Sequence, residues 1–316
     1  MTLGGLQGPN VSAVPDRVEI CDVAARDGLQ SDSVVWPVED RLELIARSVD
    51  GGVRRLEVAS FVNPARVPAM AGAEDLCAAL PAQPGVRYVG LVLNERGLER
   101  AIAAGLREVN AVVACSDGFA DRNQGSTASG TVDTFERIAA QAAAAGVATQ
   151  VVLSTAFGCP YEGEVPPGRV TEFAARCAAA GPVRLTLADT IGSAAPADVS
   201  ALVPAVQAVL PPTVVLALHL HNSRGTGLAN AWTGFGLGVR SFDASLGGIG
   251  GCPFAPGASG NVCLEDMVYL FERSGVDTRL DLDALIRASR WLADRLGHPL
   301  AGNVANAGPF PRRVVA

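Results

Sequence analysis

The 316-residue chain contains no lysine, because all 25 of its basic residues are arginine. No side-chain amine beyond the chain terminus is present to form a Schiff base with a carbonyl substrate. Carbon–carbon chemistry next to a carbonyl would therefore need a metal or another electrophile to hold the developing enolate. Histidine is scarce, with only His219, His221 and His298, and aromatics make up 5% of the chain. Gly, Arg or Asn interrupts every long Val/Leu stretch, so no apolar run is long enough to cross a bilayer, and a soluble protein is expected. A formal charge of −7 offers no basic footprint for nucleic acid. Residues 1–16 lack the basic start and apolar stretch of a secretion signal and the Arg-rich character of an organelle presequence; they are expected to form a loose arm ahead of one domain over residues 17–316. The seven cysteines, Cys21, Cys77, Cys115, Cys159, Cys177, Cys252 and Cys263, show neither a paired framework nor a close ligand pair, which points to a reducing cytoplasm.

What is present is an alternation. Short runs rich in Val, Leu and Ile are separated by longer segments of helical period, the pattern of repeated βα units on a parallel sheet. Strands are predicted near residues 18–23, 55–60, 88–93, 109–115, 149–154, 184–188, 214–219 and 242–246. A helix opening at Pro37 sets Val38, Leu42, Ile45 and Val49 on one face and stops at Gly51-Gly52. Another starts after Pro166-Pro167 and lines up Val170, Phe173, Ala174 and Cys177. Helices are also expected over residues 131–145, 196–209 and 262–274, with an added C-terminal helix over 282–296. Eight strands with eight crossovers match a closed (β/α)8 TIM barrel with a short additional C-terminal helical segment; a doubly wound open sheet is the alternative.

In such a barrel the active site lies at the C-terminal strand ends. Arg26-Asp27-Gly28-Leu29-Gln30 follows the first strand, although an Arg-Asp pair in a loop is more often a surface ion pair. His219 and His221 close the seventh strand, and residues two apart on a strand share a face, so both imidazoles are able to converge on a metal. The glycine-rich segment from Gly247 to Asn261 reads either as a flexible loop or as one that closes over substrate and brings in Cys252 for proton transfer, with Asn261 offering a carbonyl oxygen to a metal. Glu57 and Asp189 are strand carboxylates, costly to bury alone, and are expected to be site residues or partners of Arg26. Cys159 reads as structural.

Taken together, Arg26-Asp27-Gly28-Leu29-Gln30, Glu57 with Ser60-Phe61-Val62, Gly158-Cys159-Pro160-Tyr161-Glu162-Gly163, Asp189-Thr190-Ile191-Gly192, His219-x-His221 and the Gly247–Asn261 loop resemble the motif set of 3-hydroxy-3-methylglutaryl-CoA lyases within the DRE-TIM metallolyases, from about residue 18 to about residue 296. The resemblance implies retro-Claisen cleavage of 3-hydroxy-3-methylglutaryl-CoA to acetyl-CoA and acetoacetate. It implies Mg²⁺ or Mn²⁺ on Asp27, His219, His221 and Asn261, enolate stabilisation by Arg26, proton transfer by Cys252, and orientation by Glu57 and Asp189. Gln30, Asn94 and Arg224 are expected to contact the acyl-CoA, and a homo-oligomer is expected. Three places depart from the pattern: Ser31-Asp32-Ser33 stands where these lyases usually carry Asn-Glu-Lys, Asn222-Ser223-Arg224 where they carry Asp-Thr-Tyr, and Asp117 where glutamate is common. Arg224 or another arginine is the candidate substitute for the missing lysine. These departures bear on the substrate: a lyase for another 3-hydroxyacyl-CoA is the first alternative, ahead of a Claisen-condensing synthase and a non-catalytic acyl-CoA binder.

Overall fold

A computed structural model describes residues 16–31, 35–250 and 260–310. Eight parallel strands, β1 (Glu19–Asp22), β2 (Arg55–Ser60), β3 (Arg87–Val92), β4 (Glu108–Ala114), β5 (Ala148–Ser154), β6 (Arg184–Asp189), β7 (Val215–Leu220) and β8 (Ser241–Ala244), pair in chain order, and β8 closes back onto β1. This is the TIM barrel, and each predicted strand lies within two residues of an observed one.

The outer ring comprises α1 (Val38–Asp50), α2 (Ala73–Ala79), α3 (Glu95–Ala103), α4 (Asp117–Gln124), α5 (Ala128–Ala144), α6 (Pro167–Ala179), α7 (Pro196–Gln207), α8 (Gly227–Gly236) and α9 (Leu264–Arg273); α10 (Leu282–Leu296) and α11 (Asn303–Ala307) follow. In α1, Glu39 and Asp40 occupy the first turn and Arg47 the last, matching the helix dipole. Its buried face is Leu44, Ile45, Ser48 and Val49 with Arg41, while Val38 and Leu42 are only partly buried against the core. No helix among the described residues is long and apolar enough to cross a membrane.

Strand alternation divides the core into two chemistries. Leu56, Val109, Val151, Leu185, Leu218 and Phe242 belong to the apolar layer beneath the helices. The intervening positions carry Arg55, Glu57, Glu108, Gln150, Arg184 and Asp243, all nearly inaccessible. Buried charges need partners, and here they form a chain: Arg55 bonds Glu19 at 3.1 Å and pairs with Glu108, Gln150 donates to Glu108 at 2.6 Å, and Arg184 reaches Gln150 at 3.4 Å and Asp243 at 2.6 Å. The upper end of this chain supports the site.

Candidate active site

The segment after β1 does not continue as a strand. Ala24–Gly28 forms a single π-helical turn in which the N–H groups of Asp27 and Gly28 both donate to the Val23 carbonyl, at 2.8 and 3.1 Å. Such turns are rare and recur at functional sites. Asp22 fixes its start: one carboxylate oxygen accepts from Ala24 N at 2.9 Å and Leu246 N at 3.1 Å, the other from the Ser48 hydroxyl at 2.6 Å. Gly28 is required by close approach, since a Cβ there would lie 2.6 Å from Ile249 at the exit of β8. The turn thereby places Arg26 and Asp27 over the barrel mouth.

Arg26 is held from two sides. Its Nε donates to Glu57 Oε2 at 2.7 Å, Nη2 meets the same carboxylate, and Nη1 donates to Asp27 Oδ1 at 2.5 Å. Glu57 uses its other oxygen to accept from Asn110 at 3.0 Å. Burial opposes ionisation of Asp27, but the Arg26 charge above all, with His219 and the Asn261 hydrogen bond, outweighs it and holds the carboxyl well below its ordinary range.

His219 and His221 converge as the strand spacing requires: their Nε2 atoms are 3.2 Å apart, and Asp27 Oδ2 lies 3.9 Å from one and 4.0 Å from the other. His219 Nδ1 faces Asp243 Oδ2 at 3.2 Å, which directs Nε2 into the cluster. Burial works against protonation of His219, yet the Asp243 hydrogen bond and the Asp27 charge outweigh it and raise its pKa. Burial and then the neighbouring His219 push His221 down to about 4, so its imidazole is neutral at physiological pH. Asn261 pairs with His221 through a backbone bridge and donates its amide to Asp27 Oδ2 at 2.8 Å and the Ile249 carbonyl at 3.1 Å. Gly250, at φ +111°, lets this happen, because a Cβ there would lie 2.4 Å from the Asn261 amide.

One carboxylate and two imidazoles therefore present donor atoms within 4.8 Å of one another. Two ring nitrogens facing each other at 3.2 Å, one with its tautomer fixed by a carboxylate behind it, suit a shared divalent cation. Above the cluster opens a cavity of about 1240 Å³ that Arg26, Asp27, His219 and His221 line. Gln30 and Asn94 line it as well; Gln30 Oε1 is buried with no partner among the described residues, and Asn94 caps α3 by accepting from Gly97 N at 2.9 Å.

Two other expected site residues stand apart from the cluster. Strand alternation turns Ala188 and Thr190 to the cavity and Asp189 away from it, where it accepts from Ser193 N at 2.8 Å and Ala194 N at 3.1 Å. Arg224 donates to the carbonyls of Ile191 and Gly192, at 2.8 and 2.9 Å, tying two loops together. Cys252 lies outside the described residues. The sequence reading did not pick out Asp243, Arg184 or Asn110. Their one signal was a polar residue at an inward-facing strand position, visible in Ser241, Asp243 and Ser245.

A family model described as HMGL-like matches residues 17–292, nearly the whole described barrel. The chain belongs to the HMGL-like family. HMGL-like relatives include an (R)-citramalyl-CoA lyase of Chloroflexus aurantiacus, 45% identical over 311 residues that cover 95% of this chain and 98% of the relative. A hydroxymethylglutaryl-CoA lyase of Bacillus subtilis is 38% identical, covering 90% and 95%. Among solved structures, an HMG-CoA lyase from Acinetobacter baumannii in complex with coenzyme A and 3-methylmalate superposes with a TM-score of 0.90 at 37% identity, covering 95% of this chain and 98% of that one. As an HMGL-like protein the chain is a carbon–carbon lyase of a divalent-metal-dependent family, and Asp27, His219 and His221 form the cluster that fits the ion.

Proposed function

We propose that the chain cleaves a 3-hydroxy-3-methyl acyl-CoA ending in a carboxylate, releasing acetyl-CoA and an oxo acid. The observation that carries this reading is a clamped arginine beside a carboxylate–imidazole cluster at the floor of a cavity large enough for an acyl-CoA. The substrate has two versions that differ by one methylene between the carbinol carbon and the carboxylate. Citramalyl-CoA, giving pyruvate, is the first, because the relative named for it is 45% identical. 3-Hydroxy-3-methylglutaryl-CoA, giving acetoacetate, is the second, favoured by the relative at 38% and the solved structure at 37%.

Asp27, His219 and His221 would hold Mg²⁺ or Mn²⁺, with Asn261 beside Asp27. Bound there, the ion supplies Lewis acidity that makes the 3-hydroxyl easier to deprotonate. As that proton leaves, the C2–C3 bond breaks, its electron pair passes to C2 and the thioester, and C3 becomes the ketone of the oxo acid. Arg26, fixed by Glu57, neutralises the enolate charge without having to reorganise. Cys252 returns a proton to C2, so the proton lost and the proton gained balance.

The test is turnover of both thioesters by purified protein with Mg²⁺ or Mn²⁺, following pyruvate and acetoacetate separately, with a chelated sample and Cys252→Ala alongside. Pyruvate release favoured in kcat/KM by roughly 10–200-fold, the range one methylene commands, identifies citramalyl-CoA. The opposite preference identifies the longer substrate. No cleavage of either sinks the substrate class, and activity that survives chelation sinks the role of the cluster.

A further inference from the structure

Four arginines are buried among the described residues, and three of them meet carboxylates. Arg26 meets Glu57 and Asp27, Arg55 meets Glu19 and Glu108, and Arg184 meets Asp243. The fourth, Arg41 on α1, is wholly inaccessible and forms no ion pair among the described residues. Its Nη1 donates to the Ala71 carbonyl at 3.1 Å and its Nη2 to the Val58 carbonyl at 3.3 Å, while Nε is buried with no partner. Two neutral carbonyls offset the desolvation of a guanidinium poorly, so an apolar side chain of similar length would serve the packing as well.

What the guanidinium does hold is an irregularity in β2. Glu57 pairs with Val89 and Ala59 with Gly90, so Val58 is an extra residue that the ladder to β3 passes over. A bulge of this kind bends its strand, increases the local twist and re-aims the side chains beside it, and bulges are common next to active sites. Val58 is the residue whose carbonyl Arg41 takes, and the residue before it is Glu57, which accepts from Arg26 Nε at 2.7 Å and from Asn110 at 3.0 Å. Through Ala71 the same side chain ties the bulge to the segment just ahead of α2, so three parts of the barrel wall meet at one planar group.

We propose that Arg41 is a positioning residue for the lyase reaction: by holding the Val58 bulge it sets the direction of Glu57 and, through Glu57, the place of the Arg26 guanidinium. Arg41 does not line the cavity and touches no reacting group. The proposal rests on the retro-Claisen reading for what Arg26 does to the substrate, and not for how Arg26 is held. Arg26 neutralises an enolate without reorganising only if it stands in place beforehand, and a displacement of about 1 Å at such a site costs up to a hundredfold in rate.

Two readouts test this, one of them independent of turnover. The Arg26 Nε–H, buried and bonded to a carboxylate, should give an exchange-protected line in a nitrogen-resolved proton spectrum, assigned by its disappearance in Arg26→Lys. In Arg41→Met that line should shift or exchange faster, as it does in Glu57→Gln. Arg47→Met, on the same helix and paired with Glu43, should leave it in place. Arg41→Lys, which keeps the charge and one carbonyl contact, should stay nearer the parent, and Arg41→Gln carries the expectations of Arg41→Met where the latter does not fold. In turnover, Arg41→Met should lower kcat roughly tenfold to a hundredfold with little change in KM. Added to Glu57→Gln, it should lower kcat no further, because residues acting through one clamp are not additive, whereas a general loosening of the fold subtracts equally in both backgrounds. An unmoved Arg26 line in Arg41→Met, or an equal loss of kcat in both backgrounds, overturns the positioning role. An intact chain that cleaves neither thioester overturns the substrate reading alone, and the Arg26 line then decides for or against Arg41.

Discussion

Asp243 meets His219 on one side and Arg184 on the other, and all three are buried. Burial alone would raise its pKa, but the Arg184 charge and the His219 hydrogen bond outweigh this and bring it down to about 2, so it stays a carboxylate. An anionic acceptor at Nδ1 leaves the Nε2 lone pair of neutral His219 for a cation. Asp243→Asn should therefore weaken Mn²⁺ binding by roughly 10–100-fold in a direct metal titration, while the circular dichroism stays that of the parent. An unchanged affinity would show that His219 keeps its tautomer without the carboxylate. At this scale the sequence is legible where side chains cluster along it: His219 and His221 are two residues apart, and Arg26 adjoins Asp27. Asp243 stands alone in its strand, and its partners come from β6 and β7. Asp189 illustrates the converse, since a carboxylate at a strand end faces the cavity or the loop according to a one-residue parity that motif matching does not reveal.

Among the elements, the π-helical turn after β1 and the exit of β8 are held together by one side chain, Asp22, which accepts from Ala24, Leu246 and Ser48. Asp22→Ala would leave two backbone N–H groups and a hydroxyl without their acceptor. It should destabilise the fold by about 3 kcal/mol in urea unfolding and also weaken metal binding, because Asp27 rides on the turn. Loss of stability with intact metal affinity would show that the turn holds its shape unaided. The strands and most helices are readable from periodicity because each buries one consistent face. The turn is not, since Ala-Ala-Arg-Asp-Gly carries no period and its conformation is imposed by contacts with β8 and α1. Likewise α4 falls between two expected elements, its short run having only Phe119 and Ala120 buried.

Across the whole molecule, the described cysteines are free and buried in a barrel that keeps them as thiols. Burial pushes Cys77 and Cys177 up to about 12, and Cys21, Cys115 and Cys263 rise for the same first reason. The unfolded chain releases these protons at the ordinary thiol value, near pH 9, while the folded chain keeps them. Stability should therefore be complete below that value and fall progressively as pH rises from about 9 towards 12, which urea unfolding at a series of alkaline pH values will record. A flat profile would show that the thiols ionise freely in the fold. The polar chain along the barrel axis has its own whole-molecule consequence. Glu19, Glu57, Glu108, Asp27 and Asp243 face Arg26, Arg55, Arg184 and, at the outer end, Arg87, so with both imidazoles neutral the axis carries one negative charge in excess. A cation at the Asp27 end offsets that excess in a low-dielectric interior. The ion is thus part of the electrical balance of the barrel as well as a reagent, and melting temperature should climb with Mg²⁺ or Mn²⁺ in a way that Na⁺ at equal ionic strength does not reproduce.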